Sequence, residues 1–130
     1  MVQNTVALLL ENEPIIAMDL ELALADEGFT VTSIMSCQEA SDWLKDHSPD
    51  VAIVDMMLRD GPCHLIVETL SARGVPFLVH SGDPASMHEG TAFVKGTWLS
   101  KPISAIKLAL AASSVLPAFA SAKFPHSGRG

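Results

Sequence analysis

Short apolar runs recur along the chain, each followed by a polar break and then by a stretch of helical periodicity. The first run, Thr5–Leu10, reads as a strand. Pro14 then opens a helix at a favourable first-turn position, and Gly28 closes it. Residues 30–35 form a β-branched strand. Ser36-Cys37-Gln38-Glu39 has the form of a capping box and starts a helix that ends near His47, ahead of Pro49. The third strand, Val51–Asp55, is apolar until its last position. Arg59-Asp60-Gly61-Pro62 is a turn, and residues 63–73 form a helix ended by Gly74. Residues 75–80 are the fourth strand, with Pro76 confined to its beginning. Residues 81–96 are the least periodic, with Gly82, Pro84 and Gly90 and one short helix expected at 84–89. A short fifth strand at 97–99 precedes a last helix, capped by Ser104 and running to about Leu116. Residues 1–116 therefore read as one domain and 117–130 as a flexible C-terminal tail.

Five strands alternating with five helices imply an α/β fold with a doubly wound parallel sheet. The common order for this size is the flavodoxin-like 2-1-3-4-5, here with a short or degenerate fourth helix. In that order the first and third strands flank the switch point, so Glu11-Asn12-Glu13 and Asp55 meet at one crevice. Asp55 ends a strand buried on both faces. A carboxylate there is paired, bound to a metal, or used as a nucleophile. Ser81 after the fourth strand and Lys101-Pro102 after the fifth supply its partners.

Composition narrows the classes. The chain has 130 residues, 48% hydrophobic, enough for one domain with a real core. A net charge of −7 argues against a general nucleic-acid or anionic-membrane binder. No apolar stretch approaches a membrane span, and the first residues lack the basic start and long apolar core of a signal peptide. Cys37 and Cys63 show no framework spacing, which predicts free thiols and a reducing, cytoplasmic setting.

Four motifs now carry a family resemblance: Leu8-Leu9-Leu10-Glu11-Asn12-Glu13-Pro14, Val54-Asp55, His80-Ser81-Gly82 and Leu99-Ser100-Lys101-Pro102-Ile103. Taken in this order, each at a strand end, they resemble the receiver domain of two-component response regulators. The Phe77-led strand ending in Ser81-Gly82, followed by a region poor in helical signal, is similar to single-domain receivers with a degenerate fourth helix. The resemblance implies that Asp55 is the phosphoacceptor, attacking a phosphohistidine on a sensor histidine kinase or phosphotransfer protein. It implies a Mg²⁺ site made by Glu11, Asn12, Asp55 and the Met57 carbonyl. Lys101 would pair with the phosphoryl oxygens. Ser81 and Trp98 would form the switch, and the Lys101–Pro102 bond would be cis. Such a domain is a phosphorelay receiver rather than an enzyme, assisting only its own phosphorylation and dephosphorylation.

One position departs from the family. The second acid after the first strand is here Asn12, which keeps an oxygen ligand but loses a charge, so weaker Mg²⁺ binding is expected. Two other readings stand beside the receiver. A haloacid-dehalogenase-type enzyme would want a second aspartate two residues after Asp55, where this chain has Met57. A non-phosphorylated pseudo-receiver acting as a binding module has Asn12 as its argument.

The first helix carries two apolar rows, Ile16, Leu20, Ala23 and Leu24 facing the sheet and Ile15, Met18, Leu22 and Ala25 beside it. The last helix does the same, with Ile106, Ala109, Leu110 and Ser113 on one row and Ala105, Leu108, Ala112 and Val115 on another. A helix in this fold needs one buried stripe, so the surplus either joins the two helices or forms a partner surface. Receivers use this edge to dock a kinase or to dimerise, which makes a homodimer through helices one and five a further expectation. With too few residues after 116 for a DNA-binding module, the output is expected to be a downstream protein target.

Overall fold

The computed structural model describes residues 5–116, and the expected tail at 117–130 lies outside them. Strands β1 (Thr5–Leu10), β2 (Phe29–Ile34), β3 (Val51–Asp55), β4 (Phe77–Ser81) and β5 (Thr97–Ser100) form one sheet. All neighbours are parallel, in the order β2-β1-β3-β4-β5. The α-helices are α1 (Pro14–Asp26), α2 (Cys37–Asp46), α3 (His64–Ala72) and α4 (Ala105–Ser114). The topology is the one expected.

Strand alternation divides the core into two layers. Ala7 and Leu9 of β1, Val51 and Ile53 of β3 and Leu78 of β4 face one side, where Leu20 and Leu24 of α1 and Leu108, Ala109 and Ala112 of α4 cover them. Leu8, Leu10, Ala52, Val54, Phe77 and Val79 face the other, under Leu44 of α2 and Ile66, Val67 and Leu70 of α3. β3 and β4 are buried along their whole length, as near-continuous apolar strands in a parallel sheet must be.

Local signals end the elements where polar chemistry requires it. The Ser36 hydroxyl accepts the Glu39 N–H at 3.1 Å and the Ser104 hydroxyl accepts the Lys107 N–H at 3.1 Å, capping α2 and α4. The reciprocal half of the capping box is absent, since the Ser36 hydroxyl instead donates to Glu39 Oε1 at 3.1 Å. Pro76 has no N–H for the ladder, yet its carbonyl accepts the Ala52 N–H at 3.1 Å, so the strand is prepared one residue before Phe77. The Lys101–Pro102 bond is cis.

The expected degenerate fourth helix is observed, and the described residues hold four α-helices. Two 3₁₀ turns, at Ala85–His88 and Ala92–Lys95, stand where a fourth α-helix would run. Pro84 and Gly90 interrupt helical hydrogen bonding there, and Phe93, fully buried, anchors the segment. The cysteines are not free thiols: Cys37 and Cys63 form a disulfide, their Cα atoms 5.4 Å apart. Their 26-residue separation carries no pairing signal. The link follows from tertiary structure, which sets the beginnings of α2 and α3 side by side. In the chain-entropy account such a link contributes about 3 kcal/mol.

β5 begins at a close approach. A Cβ on Gly96 would lie 2.5 Å from two carbons of the Phe77 ring and 2.8 Å from the Phe77 carbonyl oxygen. Gly96→Ala should therefore displace a buried ring or the β4–β5 pairing and cost about 1–3 kcal/mol. Urea unfolding measures this, and an unchanged midpoint would mean that the junction relaxes without cost.

Candidate functional site

Strand parity assembles a polar row at the carboxyl end of the sheet. Continuing the odd positions of β1 and β3 past Leu9 and Ile53 brings Glu11 and Asp55 to the α1/α4 side of the sheet. Leu10 is paired with Val54 and Asp55 with His80, so Glu11, Asp55 and His80 follow one another across three adjacent strands. Lys101, just beyond β5, completes the row: its Nζ lies 3.3 Å from Asp55 Oδ2. Ser81, one residue after His80, belongs to the opposite parity.

The row is almost dry. Glu11 is 1% exposed and Asp55 6%. Asp55 Oδ1 accepts the Met57 N–H at 3.3 Å, and Glu11 Oε2 accepts the Glu13 N–H at 3.1 Å. Glu11 Oε1 has no hydrogen-bond partner in the structure. Burial, and then the Asp55 carboxylate beside it, push the Glu11 pKa up to about 7. His80 Nδ1, also without a partner, faces Glu11 Oε1 at 4.0 Å. Burial and the nearby Lys101 charge lower the pKa of His80 and favour its neutral form.

A cavity of about 280 Å³ opens over Asp55, lined by Asn12, Glu13, Met57, Ser81, Gly82 and Lys101 among others. Of the expected metal ligands, Asn12, Asp55 and Met57 line this cavity and Glu11 does not. Glu13 is exposed and lies on the rim. Among the described residues no cluster of three or more His, Cys, Asp or Glu is arranged to hold a metal. A site of two carboxylates, one amide and one carbonyl would not form such a cluster. The set is all oxygen, and Glu11 carries an orphaned buried oxygen, which is chemistry that suits a hard cation such as Mg²⁺.

Ser81 and Trp98, the expected switch pair, lie beside this row. The Ser81 hydroxyl accepts the Asp83 N–H at 2.9 Å and keeps its own proton for donation. Trp98 is half-buried, and its indole N–H donates to the Asp83 carbonyl at 2.8 Å. His88 stacks on the Trp98 ring at 5.6 Å and meets Asp83 Oδ2 at 3.3 Å. Asp83 thus joins Ser81, Trp98 and the first 3₁₀ turn. The sequence assigns no role to Asp83, and His80 enters only as part of the motif His80-Ser81-Gly82. His80's place opposite Asp55 depends on register, and Asp83 meets Ser81 and Trp98 through its backbone.

The profile of the response regulator receiver domain matches residues 7–113, and the chain belongs to this family. No curated protein matches. Among solved structures, a response regulator receiver protein from Sinorhizobium medicae is 24% identical with a TM-score of 0.77, over 94% of this chain and 98% of that one. A CheY-like receiver domain from Methylobacillus flagellatus is 23% identical with a TM-score of 0.71, over 86% and 98%. The receiver domain of a sensor histidine kinase from Pseudomonas aeruginosa, solved with magnesium in its active-site cleft, is 19% identical with a TM-score of 0.72, over 86% and 97%. These likenesses are to the fold.

The raised Glu11 pKa makes a stability prediction. Between pH 4.5 and about 7 the unfolded chain has released this proton while the folded chain holds it, so stability falls as pH rises through that window. Glu11→Gln should remove this slope and, with divalent cations chelated, be more stable than wild type above pH 7 by roughly 2–3 kcal/mol. Urea unfolding of both proteins from pH 4 to 8 reads the difference. Parallel curves would mean that Glu11 ionises freely.

Proposed function

We propose that this receiver accepts a phosphoryl group on Asp55 from a histidine kinase or phosphotransfer protein and signals through protein–protein contact. The observation that carries the reading is the buried Asp55 carboxylate, 3.3 Å from Lys101 Nζ, open to a cavity with Ser81 and Asn12 on its wall. The carboxylate oxygen forms a new O–P bond as the donor's N–P bond breaks. A carboxylate is a weak nucleophile, so rate must come from positioning and from neutralising phosphoryl charge. The Met57 N–H fixes one Asp55 oxygen, and the Lys101 ammonium answers charge on the other side. Asn12, Asp55, the Met57 carbonyl and Glu11 would hold Mg²⁺, which when bound neutralises phosphoryl oxygens. The Ser81 hydroxyl can turn its proton toward a phosphoryl oxygen and give up the Asp83 N–H. That loosens the contact on which the Trp98 indole also depends.

The partner face proposed for phosphotransfer is the α1/α4 edge. Ile15, Met18 and Leu22 of α1 and Ile106 and Leu110 of α4 are exposed, so packing between the helices does not consume the surplus apolar row. A groove of about 530 Å³ joins this row to Lys101, Pro102 and His80, which leads from the docking surface to the reactive end. Among the described residues no helix is long and apolar enough to cross a membrane. A cytoplasmic receiver, recognising protein rather than nucleic acid, fits the acidic charge. The same edge serves a homodimer if no kinase occupies it.

Incubation with acetyl phosphate and Mg²⁺ should add the mass of one phosphoryl group, and Asp55→Ala should not gain it. No gain in wild type with either a small donor or a kinase would favour the pseudo-receiver reading, for which the neutral Asn12 argues. Asn12→Asp should tighten Mg²⁺ binding by about tenfold, because a carboxylate replaces a neutral oxygen at contact distance. Trp98 fluorescence or calorimetry measures it. Equal affinities would remove position 12 from the ligand set.

A further inference from the structure

The Cys37–Cys63 disulfide lies beside the segment that follows Asp55, next to Asp60 and Pro62. Residues 56–62 leave β3, carry Met57 past the site and reach α3. A backbone bridge folds this segment on itself, with Leu58 and Gly61 exchanging N–H···O bonds of 3.1 Å each. It is tied to the β2–α2 corner at three points. The Arg59 N–H donates to the Met35 carbonyl at 3.3 Å. The Asp60 carboxylate accepts the Cys37 and Gln38 N–H groups at 2.7 and 3.1 Å, and these bonds hold its pKa below the usual value. The third tie is the disulfide. The Asp60 bonds are solvent-exposed, so water competes with them, whereas the covalent link does not depend on solvent.

The link is also reachable. A second cavity, of about 270 Å³, lies over it between α2 and α3, lined by Cys37, Cys63, Gln38, Ser41, Asp60 and His64 among others. Cys63 is buried, whereas Cys37 is half-buried and on the cavity wall. Cys37 is the first residue of α2 and Cys63 stands at the N-cap position of α3. Helix N-termini favour thiolates, which are the attacking and leaving species of disulfide exchange.

We propose that Cys37 and Cys63 are a reversible redox pair that controls the loop carrying Met57, and through it the metal and phosphoacceptor site. The regulatory consequence rests on the phosphoacceptor reading of Asp55. The exchange partner is a low-molecular-weight thiol. Its thiolate attacks Cys37 Sγ, the Cys37–Cys63 bond breaks, and Cys63 leaves as a thiolate that takes a proton from solvent. A second small thiol attacks the mixed disulfide and releases Cys37. Two small thiols are thereby oxidised to one disulfide, and the protein gains two thiols. The oxidised form holds residues 57–61 against α2, and the reduced form leaves the exposed Asp60 bonds, the Arg59–Met35 backbone bond and the packing of buried Leu58 to do so.

The full chain, equilibrated in glutathione buffers of graded redox ratio, alkylated and weighed intact, tests the exchange. The expected result is a reversible transition between zero and two alkylated thiols with the fold retained. Hydrogen exchange then compares the oxidised protein, the reduced protein and the Cys37→Ser/Cys63→Ser double variant. Amides of residues 57–61 should lose protection by about tenfold in the latter two, with β1 unchanged, and Mg²⁺ affinity should fall several-fold. A disulfide that never forms in the folded chain, that yields only on unfolding, or that leaves exchange at 57–61 unaltered overturns the proposal. Phosphorylation of both redox forms separates the two readings. If neither form gains a phosphoryl group, the function assigned to Asp55 fails, while the exchange data still decide the redox coupling.

Discussion

Two carboxylates and one ammonium share the dry carboxyl end of this sheet, and that imbalance organises the rest of the site. Asp55 takes the Lys101 contact at 3.3 Å. Glu11, 1% exposed, has a single backbone N–H and the neutral face of His80. Burying a second negative charge with so little compensation is costly, and the protein's own remedy is to keep Glu11 protonated up to about pH 7. A bound hard cation would be the other remedy, which is how a receiver converts an electrostatic defect into affinity for Mg²⁺ and for phosphoryl transfer. Next to Glu11 the chain carries the neutral Asn12, on the wall of the cavity over Asp55.

Parity and register explain how so few residues achieve the arrangement. In a parallel sheet buried on both faces each strand has to be apolar throughout, so a polar side chain is admitted only where the strand ends. β1, β3 and β4 end at neighbouring positions, and the order β2-β1-β3-β4-β5 makes those ends adjacent. The same rule separates Ser81 from the acidic row and turns it toward Trp98 and the 3₁₀ segment. Asp83 joins Ser81 and Trp98: its N–H serves Ser81 and its carbonyl holds the Trp98 indole.

The strand order, the cap residues Ser36 and Ser104, and the positions of Asp55, Ser81 and Lys101 at strand ends were legible from apolar runs and turn residues. These are local signals, and local chemistry decides them. The degenerate fourth helix was legible in Gly82, Pro84 and Gly90, although the second 3₁₀ turn, anchored by the single buried ring of Phe93, was not. Two further features were not legible. His80 reads as one more strand residue until register sets it opposite Asp55. The Cys37–Cys63 link was misread as two free thiols because it depends on how α2 and α3 begin side by side, which no spacing rule encodes. The exposed row Ile15, Met18 and Leu22 was legible as surplus, and the structure decides that α4 does not cover it.

The proposed phosphoryl acceptor, Asp55, sits in a site that spans the loops after four strands, β1, β3, β4 and β5. Beryllium fluoride with Mg²⁺, a phosphoryl mimic that binds a carboxylate oxygen, tests this at residue level when backbone amide resonances are followed. The account predicts shifts concentrated at Asn12, Asp55 to Met57, Ser81 to Asp83 and Lys101, extending to the Trp98 indole, and none of them in Asp55→Ala. Resonances at Asp55 to Met57 that do not move, or shifts that persist unchanged in Asp55→Ala, would contradict it.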